Sequence, residues 1–300
     1  MQGVSIVIPH YGDPAPALAL IAQLRAADTR VPVQIIVSDD ASPMAFPATE
    51  GVEVIRRRTN GGFGSAVNTG VTLARQELLL ILNSDLEIPP DFVDRMVQAS
   101  AKYPRAVLSP QVVGHDGAFG WPGRDFPRVR HYATEWLTPL ARWRDTKAWH
   151  RAVGHDVHAS SRDSPVDWVI GAAMLLPVGE FRAVSGFDER FFMNAEEVDL
   201  QRRLRDKGVR AIALATPVVV HTGGGSSPSG KRREWLVEAR FLYARKWGGE
   251  RRLRSALTAC SVANFAVNCV RRARGSSVAP LVTLRCELAL ALRRPRGRHG

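Results

Sequence analysis

The chain has 300 residues, of which 45% are apolar and 23% carry a charge, and this composition excludes a disordered or fibrous chain. The net charge of +12 is unevenly distributed, because residues 231–300 hold 17 basic and 4 acidic residues while residues 1–230 are almost neutral. The three cysteines have no Cys-x-x-Cys spacing, so a cysteine zinc site is not expected. A basic tail on a neutral body predicts an anionic partner, either a phospholipid surface or a nucleic acid.

Cysteine usage and the apolar runs bear on where the protein resides. No secretion signal precedes the apolar run Val4–Pro9, and three thiols without a pairing pattern suit a reducing compartment. The longest uncharged stretch, Ser255–Val270, is too short and too polar for a spanning helix. We therefore expect a cytoplasmic protein that touches the inner face of the cell membrane at its periphery.

Strand-like apolar runs alternate with helix-like segments in the first third of the chain. The predicted strands are Val4–Pro9, Val33–Val37, Val52–Arg56 and Glu77–Asn83, and the predicted helices are Pro14–Ala27, Gly64–Arg75 and Asp91–Lys102. This alternation predicts parallel βαβ units with right-handed crossovers, and hence an α/β fold with a mostly parallel sheet. In such sheets ligands bind where the strands end.

The remainder of the chain is less regular. Residues 114–165 have weak periodicity and are interpreted as loop and short helix covering the site. The later predicted elements are a strand in Asp167–Pro177, a helix at Glu196–Lys207, short strands at Ala211–Leu214 and Pro217–His221, a flexible linker at Gly223–Gly230, and a helix with Trp235, Leu236, Ala239, Leu242 and Tyr243 on one face. We predict two domains, residues 1–230 and a basic helical extension, residues 231–300.

Carboxylates follow two of the predicted strands. Asp39 and Asp40 end the second strand, where they can accept hydrogen bonds from a nucleobase or a ribose, although aspartate also favours turns. Asp85 ends the most apolar strand, where a buried carboxylate is costly unless it is paired or bound to a metal. Mg²⁺ is commonly held by one or two carboxylates together with phosphate oxygens, so Asp85 is a candidate metal ligand.

Three further motifs are candidates for binding or catalysis. The glycine-rich run Asn60–Asn68 opens a helix and suits the close approach of a phosphate, or simply a tight turn. Glu196, Glu197 and Asp199 crowd the start of another helix, where they suit the helix dipole but also raise one another's pKa toward that of a useful base. His221 ends a valine-rich strand and can be a metal ligand, a phosphate contact or a structural residue.

The order of these motifs resembles that of family 2 glycosyltransferases with the GT-A fold, particularly the bacterial rhamnosyltransferase-like branch. The resemblance covers about residues 3–250. It rests on Val7–Tyr11, Val37–Ser42, Asn60-x-Gly62-Phe63, Asn68-x-Gly70, Leu82–Asp85, Trp168 with Gly171-Ala172, Gly186–Phe192, Glu196–Leu200 and His221.

The resemblance implies a role for each motif. Asp39 resembles the aspartate that contacts the nucleobase, and Asp85 resembles the metal-binding member of the Asp-x-Asp signature, whose first acid is here Asn83. His221 resembles a histidine that helps to hold the metal. Glu196 and Glu197 resemble the Glu-Asp pair that supplies the catalytic base, and either could be that base. The other implied nucleotide-binding residues are Pro9, Tyr11, Asp40, Asn60, Gly62, Phe63, Asn68 and Asn83, and those implied for the acceptor or for support are Trp168 and Asp199.

The resemblance implies an inverting enzyme that needs Mg²⁺ or Mn²⁺ and takes a dTDP-, UDP- or GDP-linked sugar. The acceptor would be a glycan or a lipid-linked sugar in cell-surface polysaccharide assembly, and an anionic membrane would bind the tail. A nucleic-acid-binding protein is the first alternative, but it leaves Asp39, Asp85 and the Glu196–Asp199 cluster without a purpose, so no nucleic acid is expected. A sugar-nucleotide nucleotidyltransferase is the second, but it favours a basic glycine-rich loop after the first strand, which this chain lacks.

Overall fold

The computed structural model describes residues 2–27, 29–158, 161–222 and 229–293. The chain divides into two compact units. The first comprises Met1–Asp125 and His158–Ser227, and the second comprises Phe126–Val157 and Pro228–Gly300. The predicted boundary at residue 230 stays a prediction, and the second unit also takes in the irregular segment 126–157.

All strands among the described residues belong to the first unit. They are β1 (Val4–His10), β2 (Val33–Asp39), β3 (Val52–Arg56), β4 (Leu78–Leu82), β5 (Leu86–Glu87), β6 (Ala106–Gly114), β7 (Gly123–Arg124), β8 (Ser164–Val166), β9 (Trp168–Val169), β10 (Ala173–Pro177) and β11 (Arg210–His221). The helices are α1 (Ala15–Ala26), α2 (Phe63–Val71), α3 (Phe92–Lys102), α4 (Val129–Trp136), α5 (Lys147–Ala152), α6 (Val178–Ala183), α7 (Glu196–Asp206), α8 (Ser229–Trp247), α9 (Glu250–Ala273) and α10 (Pro280–Leu292), with a 3-10 helix at Thr138–Trp143.

One sheet organises the described part of the first unit. Its strand order is β3-β2-β1-β4-β10-β6-β11-β5, with β8 also paired to β11, which makes nine strands among the described residues. Strands β1, β2, β3, β4, β6 and β11 run in one direction, and β10, β5 and β8 run against them. A second, two-stranded sheet pairs β7 with β9. The predicted α/β class with a mostly parallel sheet is confirmed.

The large sheet is buried on both faces, which explains its continuous apolar runs. Alternate residues of β1 point to opposite sides, so Ile6 and Ile8 join one core cluster and Val7 joins the other. The first core also contains α1 and α3, and the second contains α2 and α7. This two-sided packing leaves the strand ends as the place where polar side chains converge.

The second unit is helical in its described residues and has its own core. That core joins Trp136 of α4 to Phe241 of α8 and to Leu253 and Leu257 of α9. Among the described residues, no helix combines the length and apolarity that crossing a bilayer requires.

Several predicted boundaries were wrong. The helix predicted for Gly64–Arg75 is α2 and ends at Val71, since Thr72 to Ala74 form turns that bond back to Thr69, Gly70 and Val71. The two short strands after Arg210 are one strand, β11, in which pairing with β6 shifts between Ala213 and Val218 around Pro217. Most of the predicted linker, residues 223–228, lies outside the described residues, and Gly230 already belongs to α8.

Candidate active site

Parallel strands β1, β2 and β4 bring three polar segments to one edge of the sheet. His10, which ends β1, pairs in register with Asp39 at the end of β2, and β4 ends one residue before Asn83. Pro9 and Tyr11 flank His10, and the Tyr11 side chain is 49% exposed. Because ligands of such sheets bind where the parallel strands end, this edge is the candidate binding site.

Asp39 is fully buried and shapes the loop that follows β2. Its carboxylate accepts hydrogen bonds from the backbone N–H groups of Ser42 (2.8 Å) and Phe46 (3.2 Å), and it pairs with the Arg56 guanidinium. Burial would raise the pKa of Asp39, but the hydrogen bonds from Ser42 and Phe46 and the charge of Arg56 together hold it below its ordinary value. Asp39 is thus an ionised group at the strand edge, and its contact with a nucleobase stays a prediction.

Asp40 holds the glycine-rich loop. Its carboxylate accepts hydrogen bonds from the N–H groups of Gly61 (2.9 Å) and Gly62 (2.6 Å) and pairs with Arg57 at 2.8 Å. The Asn60 side chain also accepts from the Gly62 N–H, at 3.1 Å. These contacts fix the entry into α2, the helix start at which a phosphate group was expected.

The glycine-rich loop packs closely against the segment that leads into α7. A Cβ added to Gly62 would lie 1.8 Å from the Phe192 carbonyl oxygen, so any side chain there would force the two backbone segments apart. A Cβ added to Gly64 would lie 3.6 Å from the Cβ of Glu196. The predicted nucleotide loop and the predicted base helix, far apart in sequence, are therefore neighbours.

Glu196 and Glu197 begin α7 directly after an unusual turn. Asn194 and Ala195 both have left-handed backbone angles, with φ of 70° and 64°, and such strain in residues other than glycine is concentrated at functional sites. Glu196 is 4% exposed. The Oε2 atoms of both glutamates are buried with no hydrogen-bond partner among the described residues. Buried acceptors of this kind are available to a substrate proton.

Burial raises the pKa of both glutamates. For Glu196, burial is joined by repulsion from Glu197, and its pKa lies well above the ordinary value. For Glu197, burial also raises the pKa, but the positive charge of Arg124 opposes that rise. The two carboxyl groups titrate as one coupled pair, so the raised pKa values belong to the pair.

Asp85 and His221 meet at the ends of neighbouring strands. The distance from Asp85 Oδ1 to His221 Nε2 is 3.1 Å, and the Asn83 amide nitrogen lies 3.4 Å from the same imidazole nitrogen. Burial would raise the pKa of Asp85, but the His221 hydrogen bond and charge bring it below its ordinary value. The Asp85 hydrogen bond raises the pKa of His221 against the effect of burial. The predicted metal pair is thus brought together.

Backbone contacts connect the Asp85 segment to Glu197. The Asn83 N–H donates to the Ala172 carbonyl at 2.8 Å. At the adjacent residue, a Cβ added to Gly171 would lie 3.6 Å from Glu197 Cβ and 3.5 Å from the Phe63 ring. The carboxylate segment, the glycine-rich helix and the base helix therefore share one neighbourhood at the sheet edge.

The donor set at Asp85 suits a divalent ion that also binds a diphosphate. The described residues contain no cluster of three or more His, Cys, Asp or Glu side chains that could hold a metal. One carboxylate with one imidazole leaves most coordination positions to phosphate and water oxygens, which is how Mg²⁺ is commonly bound beside nucleotides.

Comparison with known proteins identifies the family. The family model described as Glycosyl transferase family 2 matches residues 5–160, slightly more than half of the chain. The chain belongs to glycosyl transferase family 2.

Within this glycosyltransferase family, the chain is 26% identical over 239 residues to the N-acetylglucosaminyl-diphospho-decaprenol L-rhamnosyltransferase of Mycobacterium tuberculosis. The aligned region covers 74% of this chain and 76% of the relative. It is 36% identical over 87 residues to the rhamnosyltransferase WbbL of Escherichia coli, covering 28% of this chain and 33% of the relative. The solved mannosyltransferase PcManGT from Pyrobaculum calidifontis, in complex with GDP-Man and Mn²⁺, has a TM-score of 0.54 at 17% identity and covers 98% of this chain and 81% of its own. The last likeness confirms the GT-A fold.

Three residues predicted for this glycosyltransferase have structural contacts of their own. The Asn68 side chain exchanges two hydrogen bonds of 2.9 Å with the Phe187 backbone, which clamps α2 to the turn before α7. The Trp168 indole donates to the Asp125 carbonyl at 2.9 Å, and Asp199 is fully buried against Arg203 at 2.9 Å. Asp199 therefore supports α7, while the ligand contacts of Asn68 and Trp168 stay predictions.

Sequence reasoning missed Arg124 and Gln201. The Arg124 guanidinium carbon lies 5.3 Å from the centre of the Trp168 ring, and its charge acts on Glu197. The Gln201 side chain bonds both the N–H and the carbonyl of Val169, at 2.8 and 2.7 Å, which ties the two-stranded β7–β9 sheet to α7. Arg124 lies in the weakly periodic segment 114–165, where no local pattern marks it.

Proposed function

We propose that this glycosyltransferase moves a sugar, with inversion, from a nucleoside-diphosphate donor to a hydroxyl group of a glycan or lipid-linked acceptor. The observation that carries the proposal is the packing of the glutamate pair of α7 against the glycine-rich loop and Gly171, beside the segment that holds Asp85. The reaction needs groups that bind the donor, stabilise the leaving diphosphate and accept the proton of the acceptor hydroxyl. Candidates for all three lie at this edge of the sheet.

Glu197 is the proposed base. The acceptor oxygen forms a bond to the anomeric carbon, its proton passes to Glu197, and the nucleoside diphosphate leaves with the electrons of the broken bond. Arg124 favours ionised Glu197, which is half-buried, whereas Glu196 is only 4% exposed. A single base with no covalent sugar intermediate corresponds to inversion.

Asp85, with His221, is the proposed metal site. A divalent ion bound there would neutralise the charge that develops on the departing diphosphate. Asp39 and the loop held by Asp40 are proposed to receive the nucleoside. The matched relatives favour a deoxyhexosyl donor and a lipid-linked acceptor, since two of them are named rhamnosyltransferases and one of these names a decaprenol diphosphate sugar.

A donor screen tests this function. Thermal unfolding of the full chain is measured with dTDP-, UDP- and GDP-linked sugars, each with and without Mn²⁺ or Mg²⁺, and in parallel for Asp85→Ala. We expect one nucleotide to raise the midpoint only when metal is present, and Asp85→Ala to lose that rise while it keeps the parent's own midpoint. A chain that binds no nucleotide sugar, or a variant that responds as the parent does, would contradict the proposal.

A further inference from the structure

The C-terminal half of helix α9 in the second unit buries polar residues and exposes apolar ones, whereas its N-terminal half has Leu253 and Leu257 in the core. Its fully or almost fully buried positions include Ser261, Asn264 and Asn268, while Val262, Val267 and Val270 are 55%, 36% and 52% exposed. Positions 262, 266 and 270 are spaced by four residues and lie on one side of the helix, positions 261, 264 and 268 lie on the other, and Val267 lies at the border between the two sides. A helix that folds only against its own unit normally has the opposite arrangement.

The buried polar residues of α9 have hydrogen-bond partners, and these partners determine which side of the helix faces inward. The Trp136 indole donates to the Ser261 hydroxyl at 2.9 Å. The Asn264 amide donates to the Trp136 carbonyl at 2.9 Å and to the Glu287 carboxylate at 3.2 Å, and its oxygen accepts from the Thr138 N–H at 3.0 Å. Turning the helix would leave these groups without partners, at a large cost in free energy.

Helix α10, which packs on α9, repeats the pattern. Its buried residues are Glu287 and Ala291, and its exposed side chains include Leu281 and Val282, both 60% exposed, and Leu292. We call the outward side chains of the two helices the apolar outer face, consisting of Val262, Val267, Val270, Leu281, Val282 and Leu292. These exposed apolar side chains lie on two helices that pack against each other, and exposed apolar clusters on a folded protein mark surfaces that a partner covers.

The charge around the apolar outer face identifies what covers it. The described residues 251–293 contain eight arginines, of which Arg254 and Arg293 form ion pairs, and a single acidic residue, the buried Glu287. Arg271, Arg272 and Arg274 at the end of α9 are exposed, and none forms an ion pair within the described part of the chain. A second copy of this chain would bring like charges together, and a nucleic acid would leave the valines and leucines uncovered. An anionic bilayer satisfies both features.

We propose that the apolar outer face of α9 and α10 lies in the surface of an anionic membrane, with the flanking arginines among the lipid headgroups. The exposed valines and leucines enter the boundary between headgroups and acyl chains, and the arginines bind lipid phosphates. This surface would hold the enzyme near a lipid-linked acceptor, and that role rests on the proposed function.

Vesicle sedimentation of the full chain tests this surface. The triple variant Val262→Ser/Val267→Ser/Val270→Ser is compared with the parent on vesicles of phosphatidylglycerol and phosphatidylcholine and on phosphatidylcholine alone. We expect the parent to bind the anionic vesicles and the variant to partition about tenfold more weakly or worse. Val218→Ser is the matched control, because Val218 is 47% exposed but lies on β11 of the first unit, and it should bind as the parent does.

A second measurement keeps the proposal testable if the triple variant misfolds. Cys269 is exposed next to Val270, so an environment-sensitive fluorophore attached there, with Cys260 and Cys286 replaced by serine, should shift to the blue on anionic vesicles. Equal vesicle binding by parent and triple variant, or no fluorescence change, would overturn the proposal. Self-association that the triple variant abolishes, without lipid binding by the parent, would instead make the face a dimer contact. Donor-induced thermal shifts report on the proposed function separately, so either idea can fail alone.

Discussion

The carbonyl oxygen of Phe192 occupies the space that a side chain on Gly62 would need. An added Cβ would lie 1.8 Å from that oxygen, and the Gly62 backbone has a φ of 83°, in the left-handed region that glycine tolerates best. The glycine-rich loop and the segment before α7 are therefore fitted together at a backbone contact, which couples the proposed donor site to the proposed base.

We expect Gly62→Ala to destabilise the protein by roughly 1–3 kcal/mol and to weaken donor binding, because the loop must move away from Phe192. Urea unfolding and donor titration measure the two effects. Gly179→Ala is the control, since an added Cβ there meets nothing within 4 Å, and its free energy of unfolding should be no lower than the parent's because Gly179 lies in α6, where alanine is favoured. Unchanged stability of Gly62→Ala would mean that the contact with Phe192 is not required.

We expect Glu197→Gln to lower kcat by roughly 10²–10⁴-fold, because it removes the proposed acceptor of the substrate proton. Glu196→Gln should lower kcat far less, since Glu196 is only 4% exposed and the half-buried Glu197 is the proposed base. Steady-state kinetics with a saturating donor separates the two variants, and donor-induced thermal shifts verify that both still bind. A larger loss in Glu196→Gln would assign the base to Glu196.

Arg124→Gln should move the acidic limb of the kcat–pH profile to higher pH. The base must be ionised to act, burial already raises the pKa of Glu197, and loss of the neighbouring positive charge raises it further. Activity should therefore fall most at low pH and recover as pH rises. Arg124→Lys should retain most of the parent profile, because it keeps the charge. A loss of activity by the same factor at every pH would show that Arg124 has a purely structural role.

Glu196→Gln should stabilise the protein increasingly as pH rises. The pKa of Glu196 is raised in the folded state from an ordinary value of 4.5, so the folded state binds its proton more tightly than the unfolded state does. The stability that this carboxyl contributes is complete below its unfolded pKa and is lost as pH rises through its folded pKa. Urea unfolding of parent and variant across that range measures the difference, and a difference independent of pH would contradict the expectation.

Local sequence patterns determined much of the first unit. Apolar runs with polar ends located β1, β2 and β4 to within two residues at each end, because strand burial and strand termination depend on neighbouring residues. The same local rule placed Asp39, Asp40 and Asp85 at strand ends, where the structure has them. The acidic start of α7 was likewise visible, since a helix start depends on the few residues around it.

Tertiary structure alone decided which distant groups meet. Arg124 lies near Glu197 because β7 pairs with β9, whose residues come more than 40 positions later, and no pattern near Arg124 indicates that partner. The sequence showed that Ser261 and Asn264 interrupt an apolar stretch, but only hydrogen bonds with Trp136 and Glu287 decided that these polar residues face inward. Sequence periodicity indicates that a helix has one apolar and one polar face. Which of the two faces is buried depends on the packing and hydrogen-bond partners that the whole fold supplies.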